Sequence, residues 1–228
     1  MIIKNGNSLV YNTVKEDILY MDLLPGELIS EIETSKRFSI SRTPVREAFK
    51  KLEYEGLLEI VSHSGTYVTL IDLEKISDIR FMREQIELKV IQLLIEKIDD
   101  KIDEKFRKIL MKQESLFEAN LDSSVLAKRF IKSDNEFHEA MFESVGRLGV
   151  WDYLKSLEHH YERLRMFLNI YDEGHLYSLH KDHLNIYDNI IKKDYPKIEK
   201  IYIEHLQRGI YRGSDFIAKN PQYFKNVE

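Results

Sequence analysis

The sequence predicts a mainly α-helical chain in two parts, a small N-terminal head of short helices closed by one β-hairpin and a larger C-terminal bundle of helices alone. Three observations carry this reading. Apolar residues recur at helical spacing along most of the chain, as at Val10, Val14, Ile18 and Met21. One stretch, residues 57–71, breaks that rhythm with two β-prone runs around Ser62-His63-Ser64-Gly65. After Ile71 no strand pattern returns. The parts are therefore expected at residues 1–71 and 72–228.

A length of 228 residues suits two small domains. Hydrophobic residues make up 43%, enough to build cores, and no apolar run approaches the ~20 residues needed to cross a bilayer. The opening MIIKNGNSLVYNT lacks the apolar stretch of a secretory signal. The absence of cysteine excludes disulfides and thiolate metal sites. These features predict a cytoplasmic protein with no membrane partner.

The elements follow in order. A helix is expected over residues 9–21, then a turn at Leu24-Pro25-Gly26, where Pro fixes φ and Gly accepts a positive one. Ser30 can cap a short helix through Arg37, with Glu33 three residues on. After the tight turn Phe38-Ser39-Ile40, the next helix opens at Ser41 or Arg42 with Pro44 in its first turn. That helix carries Val45, Ala48, Phe49 and Leu52 on one face and stops at Gly56. Beyond the hairpin, helices are expected over 72–79, 80–98, 101–120, 123–145, 149–170, 175–193 and 196–218, with breaks near Ile98-Asp99-Asp100, Asn120-Leu121-Asp122, Gly146, Asp172-Glu173-Gly174 and Asp194-Tyr195-Pro196.

Two short helices joined by a tight turn and followed by a hairpin make a winged helix-turn-helix, whose second helix enters the major groove of DNA. Net charge is −5 for the whole chain, yet residues 36–51 hold six basic residues against Glu47 alone. Charge of that kind also suits an ordinary solvated face, so it decides nothing unaided. Position in the motif is what singles out Ser41, Arg42, Thr43 and Arg46 at the helix start. Arg presents the planar fork that fits guanine O6 and N7, and hydroxyls at a helix N-terminus suit phosphate. Lys50 and Lys51 lie further along, toward the backbone. His63 and Gly65, at the hairpin tip, suit a minor groove.

The run Ser41-Arg42-Thr43-Pro44-Val45-Arg46-Glu47-Ala48, followed by Leu52-Glu53 and Glu55-Gly56-Leu57, resembles the GntR family of regulators over residues 10–70. Thr34-Ser35 stands where that family usually has Leu-Ala, Ser39 replaces a frequent Gly, and His63-Ser64 replaces an Arg or Asn in the wing. The resemblance implies a DNA-binding homodimer on a pseudo-palindromic operator.

The C-terminal part holds seven of the eight histidines. Asp134 and His138 are four apart and share a helix face, so that a carboxylate and an imidazole can reach one ion. His183 lies 11 residues before Asp194 and His205 lies 11 after it. An antiparallel helical hairpin turning at Asp194-Tyr195-Pro196 puts both at one height. Three helices can then bring one carboxylate and three imidazoles together, although nothing local announces this. His180 is the rival of His183. His159 and His160 sit among aromatic residues and read as packing groups.

An all-helical domain after such a head is similar to the FCD type of the FadR subfamily. In its metal-binding members the ligands are an Asp and a His four apart, then two later histidines. Asp134, His138, His183 and His205 fall at the matching positions, and Arg83 and Glu87 match the Arg and Glu of that domain's first large helix. The resemblance covers about residues 72–218. It implies one divalent ion per chain, zinc or nickel first and manganese admitted by the carboxylate. An Asp and three neutral histidines around such an ion leave a local charge of +1, which predicts a small carboxylate effector, with Arg83, Arg163 and Arg165 as candidate partners for a second carboxyl group.

The expected function is transcription regulation controlled by a carboxylate metabolite at a metal site. A carboxylate with three histidines also suits a metal-dependent enzyme, but no HExxH and no placed general base occur, so no catalytic residue is expected. A purely structural metal and an acyl-CoA sensor are the remaining alternatives.

Overall fold

A computed structural model of the chain describes residues 3–171 and 173–226, and it is mainly α. Contacts divide it into two compact units, one of residues up to Leu73 together with those from Lys219 on, the other of Glu74–Ala218. Residues beyond Lys219, expected with the bundle, thus belong with the head.

In the head, α1 (Ile3–Leu19), α2 (Glu31–Phe38) and α3 (Arg42–Tyr54) surround one core. Val10, Val14 and Ile18 of α1 meet Val45, Ala48, Phe49 and Leu52 of α3, all fully buried. These are the apolar positions one helical turn apart in the sequence. Ser30 caps α2, its hydroxyl accepting from the Ile32 and Glu33 N–H groups. Ser39 closes that helix in the left-handed conformation, with φ 53°. The short α2–α3 turn is set by that one residue, standing where the sequence has no glycine.

The hairpin forms as β2 (Leu58–Val61) and β3 (Gly65–Val68). A third strand, β1 (Leu28–Ile29), pairs with β3 in the register Leu28 to Tyr67 and Ile29 to Thr66, giving the order β1-β3-β2. Two residues are too few for an alternation pattern, which is why sequence periodicity misses β1. Gly65 has φ 149°, a conformation that side-chain-bearing residues rarely adopt, and a Cβ there would stand 2.5 Å from Leu28 Cδ1, so a larger residue would strain the backbone and displace the Leu28 side chain.

The expectation of no strand after Ile71 is overturned. Phe224–Lys225 (β5) pairs in parallel with Ile71–Asp72 (β4). Lys225 Nζ lies 3.3 Å from Asp72, and Asn226 Nδ2 donates to the same carboxylate at 3.1 Å.

The bundle holds α4 (Leu73–Lys97), α5 (Asp100–Glu118), α6 (Ser123–Ser144), α7 (Leu148–Leu157), α8 (His159–Tyr171), α9 (Glu173–Lys192) and α10 (Tyr195–Lys219). Two boundaries differ from expectation. The helices expected at 72–79 and 80–98 are one, α4, because no Gly or Pro interrupts that stretch. The helix expected over 149–170 is two, divided at Glu158, again without Gly or Pro. Glu158 is wholly buried and its carboxylate is held by Lys155 and Arg83. Asp172, in the expected break before α9, lies outside the described residues.

α6 is the central helix, packed on α5, α7, α8 and α9. Phe130, Phe137 and Phe142 on α6 are completely buried, as are Phe106, Ile186, Ile198 and Tyr202 around it. Among the described residues, no helix is long and apolar enough to cross a membrane.

Phe49→Ala, at the centre of the head core, should destabilise the head by about 3–5 kcal/mol. Tyr54→Ala, on the same helix but 92% exposed, should cost less than ~0.5 kcal/mol. Denaturant unfolding of the two variants checks the difference.

Candidate metal centre and nucleic-acid interface

Helix α3 sorts its residues cleanly. Pro44, Val45, Ala48, Phe49 and Leu52 are buried, while Ser41, Arg42, Thr43, Arg46, Lys50 and Lys51 are exposed. The residues expected to face DNA thus share the outward surface of one helix. Ser41 stands at its N-cap with the hydroxyl making no cap hydrogen bond. His63 is exposed at the hairpin tip in the left-handed conformation, with Gly65 half-buried behind it. Lys51 is partly committed, its Nζ lying 3.6 Å from the centre of the Tyr11 ring.

Sequence reasoning missed Glu31. Its carboxylate accepts from Arg46 Nε and Nη2, both at 3.1 Å, and from Arg42 Nη2 at 3.1 Å. The bond to Arg46, helped by Arg42, holds the Glu31 carboxyl below its usual pKa. One acidic side chain in the first turn of α2 therefore orders both arginines of α3. The partners lie 11 and 15 residues apart, beyond any local pattern.

In the bundle, Asp134 and His138 on α6, His183 on α9 and His205 on α10 offer ligand atoms that all lie within 4.8 Å of one another. His138 Nε2 is 3.7 Å from Asp134 Oδ2, and His183 Nε2 is 3.5 Å from Asp134 Oδ1. The α9–α10 hairpin brings the two later histidines level, with rings 4.8 Å apart. All four residues are buried.

The surroundings fix which nitrogen each ring turns inward. His138 Nδ1 donates to Glu87 at 2.7 Å, with the Tyr202 hydroxyl at 2.9 Å. His183 Nδ1 donates to Gln113 Oε1 at 2.9 Å, and Gln113 Nε2 donates to the Ser133 carbonyl, which settles the amide's orientation. His205 Nδ1 faces Asp182 Oδ2 at 3.4 Å, and that carboxylate is held by Arg208. Three outward N–H groups leave three Nε2 lone pairs for the centre. His183 Nε2 is buried without a hydrogen-bond partner. Histidines oriented by such outer acceptors, with one carboxylate, fit a divalent first-row ion. His180 stands apart from the cluster, although its Nδ1 shares Gln113 Oε1 at 3.3 Å.

Electrostatics favour the same state. Burial pushes His183 well below an ordinary imidazole pKa, and the neighbouring His205 adds to this. Burial lowers His138 as well, against the pull of Glu87. Burial alone would raise Asp134, but Arg165 and the imidazoles outweigh it and keep the carboxylate ionised.

The candidate effector arginines separate. Arg83 and Arg165 line a cavity of about 20 Å³ together with Asp134, His138 and His205 of the cluster and with Tyr161, Asn169 and His175, whereas Arg163 does not line it. Arg163 is wholly buried, with Nη2 at 2.9 Å from His160 Nδ1, and burial pushes its pKa down to about 9. Arg83 is held between Glu87 and Glu158. Arg165 donates to Asp134 Oδ2 and to Asn135 Oδ1. Gln113, Asp182 and Tyr202 carried no signal in the sequence, since each acts on a ligand from another helix.

A helix-turn-helix head joined to a helical domain with a buried polar cavity defines a DNA-binding regulator with an effector-binding part. The model of bacterial regulatory proteins of the gntR family matches residues 7–68, and that of the FCD domain matches residues 78–208. The chain belongs to the GntR family of transcriptional regulators, with an FCD domain as its C-terminal part. It is 29% identical over 202 residues to the HTH-type transcriptional repressor RspR of Escherichia coli K12, covering 88% of this chain and 86% of that one. It is 26% identical over 184 residues to the Nta operon transcriptional regulator of Aminobacter aminovorans, covering 81% and 83%. Its fold is similar to the E. coli McbR/YncC structure, with TM-score 0.72, 17% identity and coverage of 92% and 98%. Family and relatives are regulators rather than enzymes.

Both His138 and His183 are kept neutral by burial in the folded chain, whereas unfolded imidazoles take up a proton below about pH 6.5. Their depressed pKa values therefore contribute stability that is fully present above that pH and is lost progressively as pH falls below it toward the folded values. Thermal unfolding of chelator-treated protein between pH 8 and 5 should show this decline, with a shallower slope in His183→Gln.

Proposed function

We propose that this regulator binds a pseudo-palindromic operator as a homodimer, and that a small carboxylate at a metal site in the FCD domain sets its affinity for DNA. The observation that carries the metal reading is the convergence of Asp134, His138, His183 and His205, each imidazole oriented by an outer acceptor on Nδ1. Zinc or nickel suits three nitrogens, and manganese suits the carboxylate. A divalent ion held by one carboxylate and three neutral imidazoles carries a local charge of +1. An anionic oxygen ligand is favoured there over a neutral sugar or an amine.

In the head, Arg42 and Arg46 are assigned to base edges, Ser41 and Thr43 to phosphate at the helix start, and Lys50 and Lys51 to the backbone further along. His63 and Gly65 are assigned to the wing contact. Such a regulator acts in the cytoplasm, where its operator is. Arg83 and Arg165 are assigned to the effector's side of the cavity, Arg83 as a fixed positive wall held by two carboxylates. Arg163, away from the cavity lining, supports the packing around His160 instead.

Purified protein should carry close to one divalent ion per chain. His183→Ala should lose it and His180→Ala should keep it, as read by elemental analysis; equal metal content in the two variants would overturn the ligand assignment.

Arg42→Ala and Arg46→Ala should each weaken operator binding by about 1–3 kcal/mol. Lys51→Ala should weaken operator and random duplex alike and flatten the salt dependence. Fluorescence anisotropy with both duplexes at two salt concentrations separates the two classes of contact.

A further inference from the structure

Helices α5 and α9 run antiparallel, with the rings of Phe106 and Tyr187 stacked toward one end and those of Phe117 and Tyr177 meeting edge-on toward the other. Between their outward faces lies a groove of about 320 Å³, lined by Leu110 and Met111 of α5 and by Leu184 and Ile191 of α9. Its apolar residues are not scattered. Tyr177, Leu184 and Ile191 stand seven residues apart and are each 40–49% exposed, so they form one ridge along α9. Met111, on the α5 side of the groove, is 68% exposed. An apolar seam of that period is the pattern of a helix packed on another helix, yet here it faces outward.

The charges on the two helices select what fits this seam. Lys181 and Asp188 stand on either side of Leu184 along α9, one cation and one anion seven residues apart. Arg107 and Glu114 stand at the same spacing on either side of Leu110 and Met111 along α5. The two midpoints lie at one height, since Met111 and Leu184 line the same groove. A two-fold axis crossing both helices there brings every charge opposite its complement. Lys181 meets Asp188 of a second copy, Arg107 meets Glu114, Tyr177 meets Ile191, and Leu184 meets its own equivalent. The same rotation sets each helix antiparallel to its mate. A partner helix of one charge sign would satisfy only half of these groups. Their present partners compete weakly, because Arg107 with Asp103 at 2.8 Å and Asp188 with Lys192 at 2.5 Å are solvent-accessible pairs within one helix. Lys181 Nζ rests 4.6 Å from the centre of the Tyr177 ring.

We propose that the α5–α9 face is an isologous interface between two copies of this chain, closed about a two-fold axis that passes Met111 and Leu184. This goes beyond the homodimer reading above by naming a surface at which copies meet. The apolar seam supplies the area taken out of water, and two kinds of charge pair, each made twice, fix the antiparallel register.

Sedimentation equilibrium of the full-length chain, free of DNA, measures the association. Leu184→Glu, at an exposed site, should leave the helical content unchanged by circular dichroism and should halve the size of the assembly. Lys181→Glu sets acid against acid twice across the axis and should weaken association about tenfold or more. Lys181→Glu combined with Asp188→Lys restores opposite charges and should return association to within about threefold of wild type. A merely local effect on α9 would not produce that rescue. Unchanged association in either single variant, or a double swap no better than Lys181→Glu alone, overturns the proposal. A wild type that stays monomeric both free and on operator DNA overturns the homodimer reading as well.

Discussion

The bundle depends on one constraint: a charge taken out of water must be matched inside. Asp134 is buried among imidazoles and finds Arg165. His138 leans on Glu87, Glu87 on Arg83 and Tyr202, Arg83 on Glu158, and Glu158 on Lys155. This chain of pairs joins α4, α6, α7, α8 and α10. Buried ion pairs of this kind add little net stability compared with apolar packing, and removing one member is costly because its partner is left stranded. Their effect is geometric, since each side chain is held by both neighbours. The three imidazoles point their Nε2 atoms at one place because every alternative would leave a carboxylate, an amide or a hydroxyl unmatched.

The head was the more legible part of the sequence, for a physical reason. Its helix starts, its turn and its hairpin are written in neighbouring residues, such as Ser30 before α2 and Pro44 within α3, and short-range rules decode them. The cluster was legible through spacing: Asp134 and His138 share a face, and His183 and His205 are placed symmetrically about a turn. What spacing could not supply was the outer layer. Gln113 reaches His183 from 70 residues away, and Tyr202 reaches His138 from 64. Nor could periodicity find β1 and β5, which are two residues long and owe their existence to a partner strand. The division of α7 from α8 belongs to the same class, because the buried Glu158 at the break takes one of its partners, Arg83, from a distant helix.

A common device recurs in the two units. In the head, Glu31 holds Arg42 and Arg46 on the outward surface of α3. In the bundle, Asp134 holds Arg165 at the edge of a cavity. Each guanidinium is kept in a single orientation by a carboxylate of the same chain. Holding a long side chain in place before its ligand arrives removes part of the entropy that binding must otherwise overcome. It also sets a threshold, since a weak ligand cannot displace the resident acid.

The pairing of β4 with β5 gives the chain an unusual connectivity. Residues from both ends of the sequence build the first unit, so the helical domain is an insertion within it rather than an appendage after it. An excised fragment ending at residue 71 would lack Asp72 and the strand Phe224–Lys225 that lies beside it, and would present an open edge at Ile71. The helical domain is tethered at both of its covalent ends to that same small sheet. A rearrangement inside it would reach the strands through two connections at once.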